Sequence, residues 1–244
     1  MVNQIAIIIP AYNEEKNIER LIKNIKHCVG KVLIIVVDDS SNNKISTIIK
    51  KNKLNILYYN RGKKAGRGSA VIFGLKKLFN KKKIKMFIEM DADFSHDPAE
   101  LKRNIKFFIN NSLDLLIGSR YLKRSKIINW SLSRRIFSLL ANFLARNLLQ
   151  IPITDFTNGF RIYSRRSVKK IINNCGKIGD GFIILSEILV VLHLNNFKIN
   201  EIHSKFVNRA RGESSVSFKL ILQSFVGLIK IYFKKRKLEY SLSN

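Results

Sequence analysis

Two aspartates, Asp91 and Asp93, follow a short apolar run at 84–90 that ends abruptly at the first of them. Such a run predicts a buried strand whose carboxyl end opens into a crevice, where open α/β sheets bind ligands. Two carboxylates one residue apart on a tight turn can face one hard cation, because Mg²⁺ and Mn²⁺ prefer carboxylate, phosphate and water oxygens. The simplest chemical interpretation is a metal that holds a diphosphate. The alternative is a solvated loop that leads into a helix starting near Asp97.

Other polar residues fall at equivalent places along the first half of the chain. Strands alternate with helices there, and this alternation predicts a parallel sheet with right-handed crossovers. The predicted strands cover 5–9, 32–37, 56–59, 84–90 and 113–117, and the polar groups that follow them lie at 12–14, 38–39, 61–68, 91–93 and 119–120. Since parallel strands end at one edge of the sheet, a nucleotide can lie across all these groups. We therefore predict an α/β fold with a nucleotide-binding, mostly parallel sheet flanked by helices.

The composition indicates a polyanionic neighbour. The 244 residues include 45 Lys and Arg against 17 Asp and Glu, a net charge of +28, and 46% are hydrophobic, which supports a substantial core. Nucleic acid, an anionic membrane or phosphorylated substrates would each suit this charge, and so would a plain compositional bias. No RNP, zinc-finger or helix-turn-helix signature supports a nucleic-acid-binding protein. The two cysteines, Cys28 and Cys175, have no metal-binding spacing and are typical of a reducing compartment.

Two apolar helices are predicted in the second half of the chain. Residues 132–149 form an apolar helix with basic edges, and 218–233 form an amphipathic helix followed by the basic run 234–237. Neither reaches the ~20 apolar residues that a membrane-spanning helix needs, and the N-terminus does not resemble a signal peptide. Each helix therefore either packs on the sheet or lies on an anionic membrane surface. We predict a main domain at 1–216 and a membrane-associating C-terminal segment at 217–244. Glu187, inside a third apolar helix, needs a partner if it is buried, either in a structural ion pair or in a functional role.

Seven motifs in this order carry a family resemblance. They are Pro10-Ala11-Tyr12-Asn13-Glu14, Asp38-Asp39-Ser40-Ser41, Lys64-x-Gly66-x-Gly68-Ser69-Ala70, Asp91-Ala92-Asp93-x-x-His96, Gly118-Ser119-Arg120-Tyr121, Asp155-x-Thr157-x-Gly159-Phe160-Arg161 and Arg209-x-x-Gly212-x-Ser214. Together they resemble the family 2 glycosyltransferases of the GT-A fold, and within them the dolichol-phosphate and polyprenyl-phosphate mannosyltransferases. The chain departs from the family pattern at Asn43, Asn158 and Ser215, where the family usually has Asp, Gly or Ser, and Lys. The Gln-x-x-Arg-Trp motif of processive synthases is missing, since Trp130 lies outside any such motif.

The resemblance implies three sets of site residues. The donor nucleotide would be bound by Pro10, Tyr12, Glu14, Asp39, Lys64, Asp91 and Ala92. Asp91 and Asp93 would hold Mg²⁺ or Mn²⁺, and together with Arg120 they would form the catalytic group. The acceptor phosphate would be bound by Arg120, Arg161, Arg209 and Arg211, which should converge beside the metal.

The implied reaction is the inverting transfer of a hexose, with mannose from GDP-mannose as first choice, to the phosphate of a dolichyl or polyprenyl lipid. The implied partners are the nucleotide sugar, the lipid phosphate, a membrane surface and, optionally, a small membrane-anchoring subunit, but no nucleic acid. The protein would be peripheral, on the cytoplasmic face of a membrane. Two alternatives stay open: a glucosyl- or N-acetylhexosaminyltransferase that uses a UDP-sugar on the same fold, and a non-enzymatic nucleic-acid-binding protein.

Overall fold

The first half of the chain alternates strands and helices, as the sequence predicts. The computed structural model describes residues 4–179, 181–208 and 218–243. The elements up to residue 119 are β1 (Ile5–Ala11), α1 (Ile18–Val29), β2 (Leu33–Asp38), α2 (Lys44–Lys51), β3 (Leu57–Asn60), α3 (Arg67–Phe79), β4 (Met86–Glu89), α4 (Leu101–Asn110) and β5 (Leu115–Ser119). A single 3-10 turn, Pro98–Glu100, precedes α4. Its N-cap is Asp97, whose side chain accepts a hydrogen bond from the Ala99 N–H, so the predicted helix start is confirmed.

The second half is richer in helix. Its elements are β6 (Lys126–Ile128), α5 (Leu132–Leu149), β7 (Arg161–Ser164), α6 (Arg165–Asn174), α7 (Ile183–Leu194), β8 (Ile199–His203), β9 (Lys205–Val207) and α8 (Phe218–Ser243). The extended segment 199–207 is not one continuous strand, because β8 ends before Ser204 and β9 begins after it. There the chain leaves the main sheet and pairs with β6 in a separate two-stranded ribbon.

Seven strands form the main sheet, in the order β3-β2-β1-β4-β7-β5-β8. Neighbouring strands are parallel except at β7, which runs antiparallel to both β4 and β5. The predicted α/β fold with a mostly parallel sheet flanked by helices is therefore confirmed. The antiparallel β7 matters for the site, because it brings the segment before Arg161 to the same edge as the carboxyl end of β4.

The sheet separates two apolar layers. Side chains alternate along a strand, so β1 contributes Ile8 to one layer and Ile7 and Ile9 to the other, and all three are completely buried. Helices α1, α2 and α4 cover one face, and α3, α6 and α7 cover the other. This arrangement fixes the strand ends, and the residues that follow them, relative to one another.

The last helix is longer than the sequence predicts. Helix α8 has 26 residues and continues through the basic run 234–237, ten residues beyond the predicted end at 233. It packs on α7, where the Lys234 ammonium lies 2.7 Å from the fully buried carboxylate of Glu187. This ion pair is the partner predicted for Glu187. Among the described residues, no helix is both long and apolar enough to cross a membrane. The division of the chain at 216–217 stays a prediction.

Candidate active site

Three neighbouring strands bring the predicted donor residues to one edge of the sheet. Strand β1 lies between β2 and β4, and all three run in parallel. Tyr12, Asp39 and Asp91 lie just beyond the carboxyl ends of these three strands. Pro10 is buried within β1, and Glu14 begins the turn into α1, where its carbonyl accepts hydrogen bonds from the main-chain N–H groups that follow.

Asp39 holds the glycine loop in place. Its carboxylate accepts a two-pronged pair of hydrogen bonds from Arg61, at 2.6 and 2.8 Å. It also accepts from the N–H groups of Ala65 and Gly66, at 2.9 and 3.1 Å. The family resemblance assigns this side chain to the donor nucleotide, and that role stays a prediction. In the structure its hydrogen bonds position the start of α3, and with it Arg67.

Tyr12 and Lys64 form the exposed part of the donor edge. The Lys64 ammonium lies 4.8 Å from the centre of the Tyr12 ring, and 44% of Tyr12 is exposed. An exposed aromatic face beside a cation is suited to a nucleotide, because the ring can stack on a base and the ammonium can attract phosphate. The structure thus brings these two predicted donor residues together.

The turn that carries Asp91 and Asp93 is braced by His96. The His96 Nδ1 accepts a hydrogen bond from the main-chain N–H of Asp91 at 3.1 Å, so the ring proton is on Nε2, which donates to Asn158 Oδ1 at 2.9 Å. The ring is fully buried and stacks on Phe160. His96 therefore acts on the geometry of the turn, and its bonding pattern requires the neutral ring.

The acidic turn fits a hard divalent cation. Ala92, between the two aspartates, is buried, so the carboxylates are the polar groups that the turn offers. The next polar side chain is Ser95: its hydroxyl is buried and has no hydrogen-bond partner, while its N–H donates to Asp93 Oδ1 at 3.0 Å. Among the described residues, no cluster of three or more His, Cys, Asp or Glu could hold a metal alone. The donor set therefore suits a cation that takes its remaining ligands from a diphosphate and water.

An arginine of the glycine loop, Arg67, forms an ion pair with Asp91. The Arg67 Nε donates to Asp91 Oδ1 at 2.7 Å, and its Nη1 donates to Glu89 Oε1 at 2.5 Å. Glu89 is fully buried, and its second oxygen accepts from the Tyr163 hydroxyl at 2.7 Å. Burial opposes the charge on Arg67, but Asp91 and Glu89 outweigh it and raise the arginine's pKa. No local pattern could have predicted this cluster, because its members come from three separate segments, around residues 67, 89–91 and 163.

Arg120, predicted for catalysis and acceptor binding, is paired with Asp155. Its Nε and Nη2 donate to the two oxygens of this fully buried carboxylate at 2.8 and 2.7 Å, and Nη2 also donates to the Thr157 hydroxyl. Burial alone would raise the pKa of Asp155, but the guanidinium holds it below its usual value. The Asp91 charge also contributes to the raised pKa of Arg120, so the guanidinium is within electrostatic range of the metal turn.

Arg161, which the family resemblance assigns to the acceptor phosphate, lies inside the protein and not in an open site. It is completely buried, and its guanidinium donates to the main-chain carbonyls of Phe156, Asn158 and Leu185 at 2.8–2.9 Å. Because these carbonyls accept hydrogen bonds from its N–H groups, Arg161 supports the turn before β7, and its side chain is not accessible to a substrate. The other two predicted acceptor arginines, at positions 209 and 211, lie outside the described residues.

Aromatic side chains connect the metal turn to the start of α5. Phe206 contacts the rings of His96 and Trp130, with centroid distances of 5.6 and 5.3 Å. The guanidinium of Arg134, in the first turn of α5, stacks 4.3 Å from the Trp130 ring centre, and that of Arg120 lies 5.3 Å from it. Arg134 and Arg120 therefore both lie against the Trp130 ring.

Beyond this point, α5 presents an apolar surface. Seven of its large hydrophobic side chains are between 42 and 73% exposed: Leu132, Ile136, Phe137, Leu139, Leu140, Phe143 and Leu144. Its opposite side is tied to the site, where Asn142 accepts a hydrogen bond from the Phe156 N–H at 2.7 Å. The helix thus joins the turn at 154–160 to an exposed apolar face.

The fold and the strand-end site together define the class of protein. The structure resembles that of glucosyl-3-phosphoglycerate synthase from Mycobacterium tuberculosis in complex with Mn²⁺, UDP and glucosyl-3-phosphoglycerate, with a TM-score of 0.67 over 96% of this chain and 80% of that chain. At 16% identity this likeness shows the fold, which is GT-A. Residues 6–172 match the family described as Glycosyl transferase family 2. The chain belongs to this family and is a glycosyltransferase.

Two relatives are similar over most of this chain. A protein named polyprenol monophosphomannose synthase, from Mycolicibacterium smegmatis, is 32% identical over 219 residues, which cover 86% of this chain and 80% of that protein. A dolichol-phosphate mannosyltransferase from Pyrococcus furiosus is 34% identical over 230 residues, which cover 90% of this chain. The matched part is 61% of the Pyrococcus protein's length.

Proposed function

We propose that this glycosyltransferase moves mannose from GDP-mannose to the phosphate of a polyprenyl or dolichyl lipid, with inversion at the anomeric carbon. The names of the two relatives support the mannosyl and lipid-phosphate parts of this proposal. The observation that carries it is the short path of contacts from Asp91 through His96 and Phe206 to Trp130, which immediately precedes α5. A lipid whose chain lies on the apolar face of α5 would have its phosphate near the metal turn.

On the donor side, the nucleotide would lie against Tyr12 and Lys64, with its diphosphate at Asp91 and Asp93. These aspartates would hold Mg²⁺ or Mn²⁺, which would balance the negative charge on the leaving nucleoside diphosphate. The Mn²⁺ named with the structurally similar synthase supports a divalent metal. His96 keeps the turn in shape by accepting from the Asp91 N–H, and Asp39 keeps the glycine loop in shape.

On the acceptor side, the reaction needs positioning more than proton transfer. A lipid phosphate is already an anion at neutral pH, so its oxygen can attack the anomeric carbon with little or no general base. Cations must hold it in line, and arginine suits phosphate because its planar fork matches two oxygens. Arg120 and Arg134, which share the Trp130 ring, are the described residues that we assign to this task. Arg209 and Arg211 remain proposed acceptor ligands on the family resemblance.

The protein would reach its lipid by lying on the membrane surface as a peripheral protein of the cytoplasmic face. Helix α5 has an exposed apolar face, and α8 exposes Val226, Ile229, Phe233 and Tyr240 at helical spacing. Exposed apolar side chains next to many basic ones favour the headgroup region of an anionic bilayer. In this proposal residues 217–244 associate with the membrane, and a small anchoring subunit would be an additional partner.

A donor panel tests the proposal. The purified protein is given a polyprenyl phosphate, Mg²⁺ or Mn²⁺, and one radiolabelled donor at a time: GDP-mannose, UDP-glucose or UDP-N-acetylglucosamine. Label extracted into organic solvent with GDP-mannose alone would support the proposal. Label with a UDP-sugar alone would replace mannose by another hexose and keep the lipid acceptor. Absence of lipid label with every donor would contradict lipid-phosphate transfer.

A further inference from the structure

The role of Arg67 goes beyond the reaction proposed above. Its guanidinium lies between two carboxylates, and only 13% of its side chain is exposed. One carboxylate, Glu89, is fully buried, and the other, Asp91, is a proposed ligand of the metal. An arginine thus holds one carboxylate oxygen, Oδ1, of a proposed metal ligand.

The surroundings of Arg67 are shaped to keep it there. A Cβ added at Gly159 would lie 2.6 Å from the Arg67 Cζ, so only glycine leaves room for the guanidinium. The Phe182 ring covers the group, with 5.2 Å between the Arg67 Cζ and the ring centre. The main chain just before Arg67 is fixed by Asp39 through the Ala65 and Gly66 N–H groups. Four segments therefore position one guanidinium on one metal-binding oxygen.

We propose that Arg67 is a positioning residue that competes with the divalent metal for Asp91, so that the metal binds tightly only together with a diphosphate. For a metal alone, binding at Asp91 has to displace a charge-assisted hydrogen bond and leaves the guanidinium near a second cation. With a nucleoside diphosphate present, phosphate oxygens can accept the displaced N–H groups, because a guanidinium fork matches phosphate. Metal affinity and donor affinity are then coupled, and by linkage each strengthens the other. The inference rests on the proposed function for the identity of the donor.

The test measures Mn²⁺ binding by electron paramagnetic resonance, without lipid and without turnover. The main variant is Arg67→Met with Glu89→Gln, which removes one cation and one buried anion together, so that the net charge is kept and the fully buried position 89 carries no charge. The matched control is Lys76→Met, which removes an exposed cation from the same helix. Asp93→Ala is added to each of these proteins, and the Mn²⁺ binding that it removes is the binding at this site. Each protein is titrated with Mn²⁺ alone and with Mn²⁺ in saturating GDP.

We expect the double variant to bind Mn²⁺ alone about tenfold or more tightly than the unmodified protein, the effect of one charge-assisted hydrogen bond that no longer competes. The gain in affinity caused by GDP should shrink by a similar factor, and Lys76→Met should change neither value. A structural role alone would not raise metal affinity. Unchanged or weaker Mn²⁺ binding in a folded double variant would overturn the proposal.

A second variant provides the same test if the double variant does not fold. Gly159→Ala keeps every charge but pushes the guanidinium away from Asp91, so it should also strengthen binding of Mn²⁺ alone. Failure of both variants to do so would refute competition by Arg67. The Mn²⁺-alone measurement needs no donor or acceptor, so its outcome is independent of whether the protein transfers mannose to a lipid.

Discussion

The ion pair between Lys234 and Glu187 should be the main polar attachment of α8 to the domain. Glu187 is fully buried in α7, whereas the Lys234 side chain is 24% exposed. The Lys234 ammonium also donates to the Asn174 carbonyl at 2.7 Å, and Glu187 accepts from the Gly176 N–H at 2.8 Å. Replacing Lys234 by Met would remove the cation from this buried carboxylate and keep its hydrogen bond from the Gly176 N–H.

The expected loss follows from these numbers. Removing one partner of a buried ion pair costs about 3–5 kcal/mol, and the partial exposure of Lys234 and the retained Gly176 N–H favour the lower end, about 3 kcal/mol. For a domain of this size that corresponds to a fall in Tm of roughly 6–12 °C. The measurement is urea unfolding followed by circular dichroism, together with a thermal scan. Lys230→Met, on an exposed position one turn earlier, is the matched control.

A double-variant comparison separates the ion pair from simple packing. Lys234→Met with Glu187→Gln should be more stable than Lys234→Met alone, because no buried charge is left uncompensated. A loss below about 1 kcal/mol for Lys234→Met would match an exposed ion pair and refute the reasoning. The same conclusion would follow if the double variant were no more stable than the single one.

Three further outcomes are expected. Tyr163→Phe should lower the free energy of unfolding by about 1–3 kcal/mol in urea titrations, because it leaves one buried oxygen of Glu89 without its hydrogen bond; a change below about 0.5 kcal/mol would contradict that contribution. Asp155 has a folded-state pKa below its ordinary value of 3.8. Burial raises this pKa, but the Arg120 guanidinium and the hydrogen bonds to the carboxylate lower it by more. Its contribution to stability is therefore complete above the ordinary pKa and lost as the pH falls through the folded value, so Asp155→Asn should destabilise the protein more near pH 7 than at about pH 3; equal destabilisation at both would exclude this linkage. Leu140→Glu should reduce co-sedimentation with anionic liposomes while the melting temperature stays unchanged, since this side chain is 55% exposed; undiminished binding would place the membrane contact away from α5.

Local patterns predicted the framework of the site. The position of Asp91 and Asp93 beyond a strand followed from an apolar run stopped by acid, and β4 confirms it. The bounds predicted for α5, Leu132–Leu149, are those observed, because Ser131 caps the helix by accepting from the Arg134 N–H. Both features depend on neighbours within a few residues. Sequence spacing alone is sufficient to show them.

Partners far apart in sequence could not be predicted. A motif shows that an arginine stands at 67, 120 or 161, but not whether carboxylates, carbonyls or substrate surround it. Arg67 meets Asp91 across 24 positions and the Gly159 carbonyl across 92. The antiparallel entry of β7 between β4 and β5 brings the Gly159 segment to this site. Such pairing depends on sheet order, which local periodicity does not determine.

The end of α8 was misjudged for a related reason. The sequence predicted an amphipathic helix that ends at 233, with the basic run 234–237 after it. Lysine, arginine, leucine and glutamate are nevertheless good helix formers, and the helix continues through them. Lys234 forms an ion pair with Glu187, and Lys235 forms one with Glu239. The charge pattern was visible in the sequence, whereas the buried partner on α7 was not.

The central claim is that Asp91 and Asp93 support hexosyl transfer to a lipid phosphate, and the initial rate of that transfer tests it most directly. Radiolabelled GDP-mannose and a polyprenyl phosphate are incubated with the unmodified protein or with Asp93→Ala, each with Mn²⁺ or with chelator, and the organic phase is counted. We expect labelled lipid from the unmodified protein with metal, and a rate at least about 10²–10³-fold lower for Asp93→Ala, by analogy with the loss of one electrostatic contact in a transition state. Full activity of Asp93→Ala in the presence of chelator would contradict the account.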